Sequence, residues 1–118
     1  MITFRWIENL AGSFPGADVS TSYGTPAIKV GKKLVLRMHQ KEDAIVLLLN
    51  TVDEQQELIH RDPMAFYITD HYVGYPAVLV RPTVDKSVFR NQMERSWRRV
   101  ARKSDLVAFA DGGESDNT

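Results

Sequence analysis

The sequence contains no cysteine, which excludes disulfide staples, thiolate nucleophiles and cysteine-ligated zinc or iron–sulfur centres. It also has no long apolar run. The longest, Ala44 to Leu49, is far short of the roughly 20 residues that a membrane-spanning helix needs. The N-terminus, Met1-Ile2-Thr3-Phe4-Arg5, has no basic stretch followed by an apolar core and a small-residue cleavage site, so no signal peptide is expected and the cytoplasm is the expected location. Net charge is absent too: 15 basic residues balance 15 acidic ones, so no global field steers the chain toward nucleic acid or a membrane surface. No glycine-rich phosphate loop occurs, because Asp111-Gly112-Gly113 has no helix after it.

What is present is an ordinary globular composition, 43% hydrophobic and 25% charged in 118 residues, which suits one domain with one modest core. The most distinctive stretch is Ile68 to Arg81. Two short apolar runs there flank Asp70-His71-Tyr72-Val73-Gly74-Tyr75-Pro76, a pattern of strand, shaped turn and strand.

In chain order, Thr3 to Ala11 predicts a short helix capped by Thr3, with Ile7 and Leu10 on one face. Residues 12–18 break it with glycine and proline. Thr25 to Val30 predicts a strand, and Gly31-Lys32 a type II′ hairpin turn. Lys33 to His39 then returns, with Leu34, Leu36 and Met38 alternating against Lys33, Val35, Arg37 and His39. The unbroken apolar run Ala44 to Leu49 predicts a central strand covered on both faces.

Thr51-Val52-Asp53-Glu54 has capping-box spacing and opens a helix from about Val52 to His60, with Leu58 and Ile59 toward the core. Pro63 bars its continuation. Strands follow at Ala65 to Thr69 and Ala77 to Arg81. Asp85 caps a final helix in which Phe89, Met93, Trp97 and Val100 form one apolar stripe. Leu106 to Ala110 suits a short packed turn, and 111–118 a disordered tail. Helix, three strands, helix, two strands and helix describe an α+β two-layer sandwich, 1–110, with a mostly antiparallel five-stranded sheet.

Three segments carry a family resemblance: Ser22-Tyr23-Gly24-Thr25-Pro26-Ala27-Ile28-Lys29-Val30; Phe66 through Tyr72-Val73-Gly74-Tyr75-Pro76 with Val78-Leu79-Val80; and the Trp97 helix. Together they resemble the MmcQ/YjbR family over roughly residues 10 to 110. The resemblance implies a compact α+β domain also likened to secretion chaperones, and a DNA-binding role in which hairpins and helices form a "double wing". It implies no catalytic residues.

The residues themselves offer three surfaces. Between Arg81 and Lys103, eight basic residues face two acidic ones. Within them Arg95, Arg98, Arg99 and Arg102 fall at helical spacing in a band beside the Trp97 stripe, a pattern that meets DNA phosphates or simply a solvated helix face. Lys29, Lys32, Lys33 and Arg37 give the first hairpin a basic edge, which fits either a phosphate-binding wing with Lys32 and Lys33 as auxiliary contacts or protection of a sheet edge. Tyr23, His71, Tyr72 and Tyr75 suit a ligand pocket or base stacking, or a turn that caps the core.

Asp70-His71 lacks the nucleophile or further ligands that catalysis or a metal demands. The expectation is therefore a non-enzymatic domain without a metal or cofactor. DNA is the leading partner, with a protein partner, a homodimer or a small ligand as alternatives. Adjacency of Tyr23 to Tyr72 and Tyr75 in space would favour the pocket.

Overall fold

The structure is a computed structural model that describes residues 1–116. Four consecutive strands build most of the sheet: β1 (Ala17–Ser22), β2 (Thr25–Val30), β3 (Lys33–Met38) and β4 (Ile45–Leu48). Helix α1 (Phe4–Ala11) precedes them, and α2 (Val52–Arg61) follows. The chain then adds the two-residue β5 (Phe66–Tyr67), a 3₁₀ turn at Asp70–Tyr72, β6 (Ala77–Val80), α3 (Lys86–Val100) and α4 (Lys103–Asp116). All pairings are antiparallel, in the order β1-β2-β3-β4-β6-β5.

The sheet has six strands where the sequence predicts five. The extra one, β1, is polar and mostly exposed, so no apolar alternation marks it. It pairs along its whole length with β2 through the Tyr23-Gly24 turn, both of whose residues have positive φ, +52° and +75°. That is the type I′ geometry, whose backbone twist matches the strands it joins. At the next hairpin only Gly31 is left-handed, φ +61°, as a type II′ turn requires.

Residue alternation sorts the two faces. Ile45 and Leu47 of β4 and Val78 and Val80 of β6 join the main core with Ile7, Phe14, Phe89, Met93 and Trp97. Val46, Leu48, Ala77 and Leu79 point the other way, into a smaller cluster with Tyr72. Helices α1, α3 and α4 therefore cover one face. The other is covered only in part, by the loop that carries Tyr72.

One correction lies in β3. Ile28 pairs with Leu36 but Lys29 pairs with Leu34, so Val35 is an extra, bulged residue. Leu36 and Met38 face the main core as expected, whereas Leu34 turns to the opposite face and Val35 is fully buried in the core. The carbonyls around the bulge are taken by α3: the Ser96 hydroxyl donates to Val35 O at 2.9 Å, and the Arg99 guanidinium donates to Leu34 O.

Helices α1 and α3 form as expected, with Thr3 Oγ1 accepting from Trp6 N and Asp85 Oδ1 accepting from Ser87 N and Val88 N. In α2, Thr51 Oγ1 accepts from Glu54 N at 3.2 Å. The strand expected at Ala65 to Thr69 shrinks to Phe66–Tyr67 because the chain coils into the 3₁₀ turn. The short turn expected at Leu106 to Ala110 is a full helix, α4, whose Phe109 packs on Phe14 and Trp97 at ring distances of 5.8 and 5.0 Å. The segment read as a tail from residue 111 thus begins inside α4, and Asn117 and Thr118 lie outside the described residues.

Candidate functional site

The open face of the sheet holds a groove of about 650 Å³. Its floor is Leu34 of β3 with Val46 and Leu48 of β4. One wall is the Thr69–Tyr75 loop, contributing His71, Tyr72 and Tyr75, and the other is Tyr23 with the β3–β4 turn, contributing His39, Gln40 and Lys41. The structure thus brings Tyr23, His71, Tyr72 and Tyr75 to one cavity, although Tyr23 is some 50 residues away in sequence from the others.

Each wall has a specific support. Gln55 of α2 is fully buried, and its side-chain amide donates to three carbonyls of the loop and the start of β6: Tyr72 O at 3.0 Å, Tyr75 O at 2.8 Å and Ala77 O at 2.7 Å. Two of these carbonyls also accept from the loop's own backbone, Tyr72 O from Tyr75 N at 3.1 Å and Tyr75 O from Ala77 N at 2.8 Å, so the two hydrogens of this one nitrogen, shared among the three, tie an already turned loop to α2. On the other side, the Gln40 amide donates to Tyr23 O. His39 Nδ1 accepts from the backbone N–H groups of Lys41 and Glu42, at 3.0 and 2.9 Å. That acceptor role requires the neutral ring with its proton on Nε2. Burial and the nearby Arg37 hold the His39 pKa below its ordinary 6.5, which favours the same form.

Arg37 lies at the centre. Its guanidinium donates from Nη2 to Tyr72 Oη at 3.0 Å and from Nη1 to Met38 O at 3.3 Å, and it sits 5.1 Å from the centroid of the Tyr23 ring. Around it His39, His71 and Tyr75 pack against the Tyr72 ring at 6.3, 5.2 and 6.3 Å. Tyr72 is buried, while Tyr23 and Tyr75 present 76% and 51% of their surface to solvent. A non-glycine residue at φ +52° carries local strain, because a Cβ there crowds the backbone. Asparagine or glycine would relax it, yet a tyrosine stands there with its ring over Arg37.

The arginine band of α3 divides. Arg98 pairs with Glu94 at 3.0 Å and lies over the Phe109 and Trp97 rings. Arg102 forms a two-pronged contact with the buried Asp105, at 2.8 and 3.2 Å, which also accepts from Arg102 N and is held ionised by that pairing. Arg99 is half-buried against the β3 bulge, where burial lowers its pKa. Arg95 is exposed, and so are Lys32 and Lys33 at the hairpin tip. The four arginines are therefore not one free face, since three of them are committed to intramolecular contacts.

Sequence reasoning missed Arg37, Lys41 and Gln55 as parts of the groove. Arg37 stands in an alternating strand on the polar side, where it is indistinguishable from a solvated residue. Gln55 lies one turn before Leu58 and so on the core face of α2, but as a polar residue it adds nothing to the hydrophobic pattern by which that face is recognised. A second, smaller groove of about 360 Å³ lies between Arg61, Asp62, Phe66 and the Val88–Gln92 side of α3. Among the described residues no group of histidines and carboxylates is placed to hold a metal ion, and no helix is long and apolar enough to cross a membrane.

No protein-family model matches the chain, and no curated protein does. Among solved structures, that of Deinococcus radiodurans protein DR2400, described as a DUF419 domain, superposes with a TM-score of 0.72 at 15% identity. The match covers 93% of this chain and 89% of that one. The two chains share a fold.

Proposed function

We propose that this chain is a non-enzymatic, cytoplasmic ligand-binding domain related to the MmcQ/YjbR family, and that its working surface is the groove on the open sheet face. The relationship is supported by the Ser22–Val30 and Phe66–Pro76 segments together with the fold shared with the DUF419 domain. The observation that carries the binding role is the convergence of Tyr23, Tyr72 and Tyr75 from distant parts of the chain on one cavity. Its 650 Å³ falls within the range of about 300–1,000 Å³ that small-molecule sites occupy, and its apolar floor with a few convergent polar groups is their usual composition.

The test is a screen of a chemically diverse fragment library against the ¹⁵N-labelled protein by NMR. Hits are expected to move the backbone amides of Gly24, Arg37, Gly74 and Tyr75 together. Hits confined to the Asp62–Gln92 groove, or no hit on the Tyr-rich groove, would overturn the reading.

A second reading keeps DNA as the ligand. It is favoured by the bond from Arg99 to Leu34 O, which seats the hairpin bearing Lys32 and Lys33 against α3 and so adds their charge to that of the exposed Arg95. Three such phosphate contacts predict a slope of about −3 in log affinity against log salt for duplex DNA. A salt-insensitive affinity, or none at low salt, would remove this reading. A protein partner or a second copy of the chain has no such specific contact in its favour.

A further inference from the structure

The groove is selective in its charge. Its described lining contains Arg37 and Lys41 but no aspartate or glutamate. Glu42, in the same turn as Lys41, is turned to the Tyr67 hydroxyl, which donates to it at 3.3 Å. Arg37 is half-buried and makes no salt bridge among the described residues, its two recorded donors being satisfied by a neutral hydroxyl and a carbonyl. Losing water without gaining a counter-charge is unfavourable for a guanidinium, and Arg37 differs from the equally unpaired Arg81 and Arg99 in lining the groove. Here the open side of that guanidinium is the cavity. His39 adds a donor of the same sense, since its Nδ1 is occupied by backbone N–H groups and its proton sits on Nε2.

The remaining walls define the rest of the ligand. Tyr23 and Tyr75 hold exposed ring surface at opposite sides of the groove, and the floor of Leu34, Val46 and Leu48 has no polar side-chain atom. Flat aromatic walls over an apolar floor suit a planar ring and leave a bulky or flexible chain without matching contacts. We propose that the groove binds a small planar aromatic anion, an aromatic carboxylate or a nucleotide phosphate, with Arg37 and Lys41 taking the anionic group and the tyrosines stacking on the ring. This ligand class rests on the groove being the working surface.

The test compares ligand pairs that differ only in charge: naphthalene-2-carboxylate against naphthalene-2-carboxamide, and adenosine 5′-monophosphate against adenosine, with inorganic phosphate alone as a ringless anion. Affinities are read from the groove amides of the full chain by NMR titration. In at least one pair the anion is expected to bind about 10-fold to 100-fold more tightly than its neutral partner, the difference a charge-assisted contact supplies. Which pair responds separates a carboxylate source from a nucleotide source. Arg37→Met is expected to erase that difference. The exposed Lys41→Met, which carries little risk to folding, is expected to reduce it several-fold.

Equal binding of neutral and charged partners, or binding of inorganic phosphate as tightly as of both ring-bearing anions, would overturn the ligand class. It would leave the groove as the working surface. Silence of the groove amides toward all five compounds would also overturn the class, and the fragment library then decides the groove separately. An anion preference that survives Arg37→Met in a folded variant would show that the anion lies elsewhere in the groove and would overturn the assignment of Arg37.

Discussion

Gln55 shows how much one side chain holds in place. Its amide is shared among three carbonyls, two of which also accept from the loop's own N–H groups, so Gln55→Leu removes the side-chain contacts that tie the loop and the start of β6 to α2 in a site of about the same size. The expected cost is about 2 kcal/mol of stability, measured by urea denaturation, with broadened amide resonances at Tyr72 to Tyr75. A stable variant with sharp loop signals would mean that the loop holds itself. His39 makes a pH-dependent contribution. Its folded pKa lies below the 6.5 of the unfolded chain, so between those two values the unfolded state binds more protons and stability rises with pH. The contribution is complete above about pH 6.5 and is lost as pH falls through the lower, folded value. His39→Gln is expected to flatten the stability profile below pH 6.5, a comparison that thermal melts at a series of pH values make directly.

At the scale of elements, the β1–β2 hairpin and α4 were the parts least visible in the sequence, for different physical reasons. A polar edge strand such as Ala17–Ser22 buries little and has no apolar period; its signal was the Tyr23-Gly24 turn, obscured because tyrosine is an unusual occupant of a left-handed position. Tyr23→Asn is expected to raise the melting temperature by relieving that strain while weakening ligand binding to the groove. A variant improved in both would mean that the ring has no binding role. Helix α4 was hidden because only Leu106 and Phe109 of its apolar residues pack on the core. Phe109→Ala is expected to cost about 2 kcal/mol, less than a fully buried phenylalanine, and to red-shift tryptophan emission by admitting water to Trp97. Unchanged emission would mean that α4 does not shield that ring.

Across the whole molecule, the α+β architecture, the antiparallel sheet and the Phe89–Val100 stripe were legible because hydrophobic period and capping residues report local structure and burial directly. The groove was only half legible. Its tyrosines stood out beside glycines and prolines, but Arg37 and Gln55 acquire their meaning from partners 35 and 17 to 22 residues away. The same reasoning misjudged the α3 arginines, since helical spacing shows that they share a side and cannot show that Glu94, Asp105 and the β3 bulge already engage three of them.

The bulge at Val35 has a consequence for the order in which the molecule assembles. Strands β1 to β4 are joined by short turns and pair with their sequence neighbours, so they close at little entropic cost, whereas Ser96 reaches the bulge across 61 residues. Until α3 docks, the Val35 carbonyl stays hydrated. Removing the hydroxyl with Ser96→Ala is therefore expected to leave the refolding rate nearly unchanged and to accelerate unfolding, raising only the unfolding limb of the chevron. A slowed refolding limb would instead place the docking of α3 inside the folding nucleus, with the kinked strand shaped by the helix from the start.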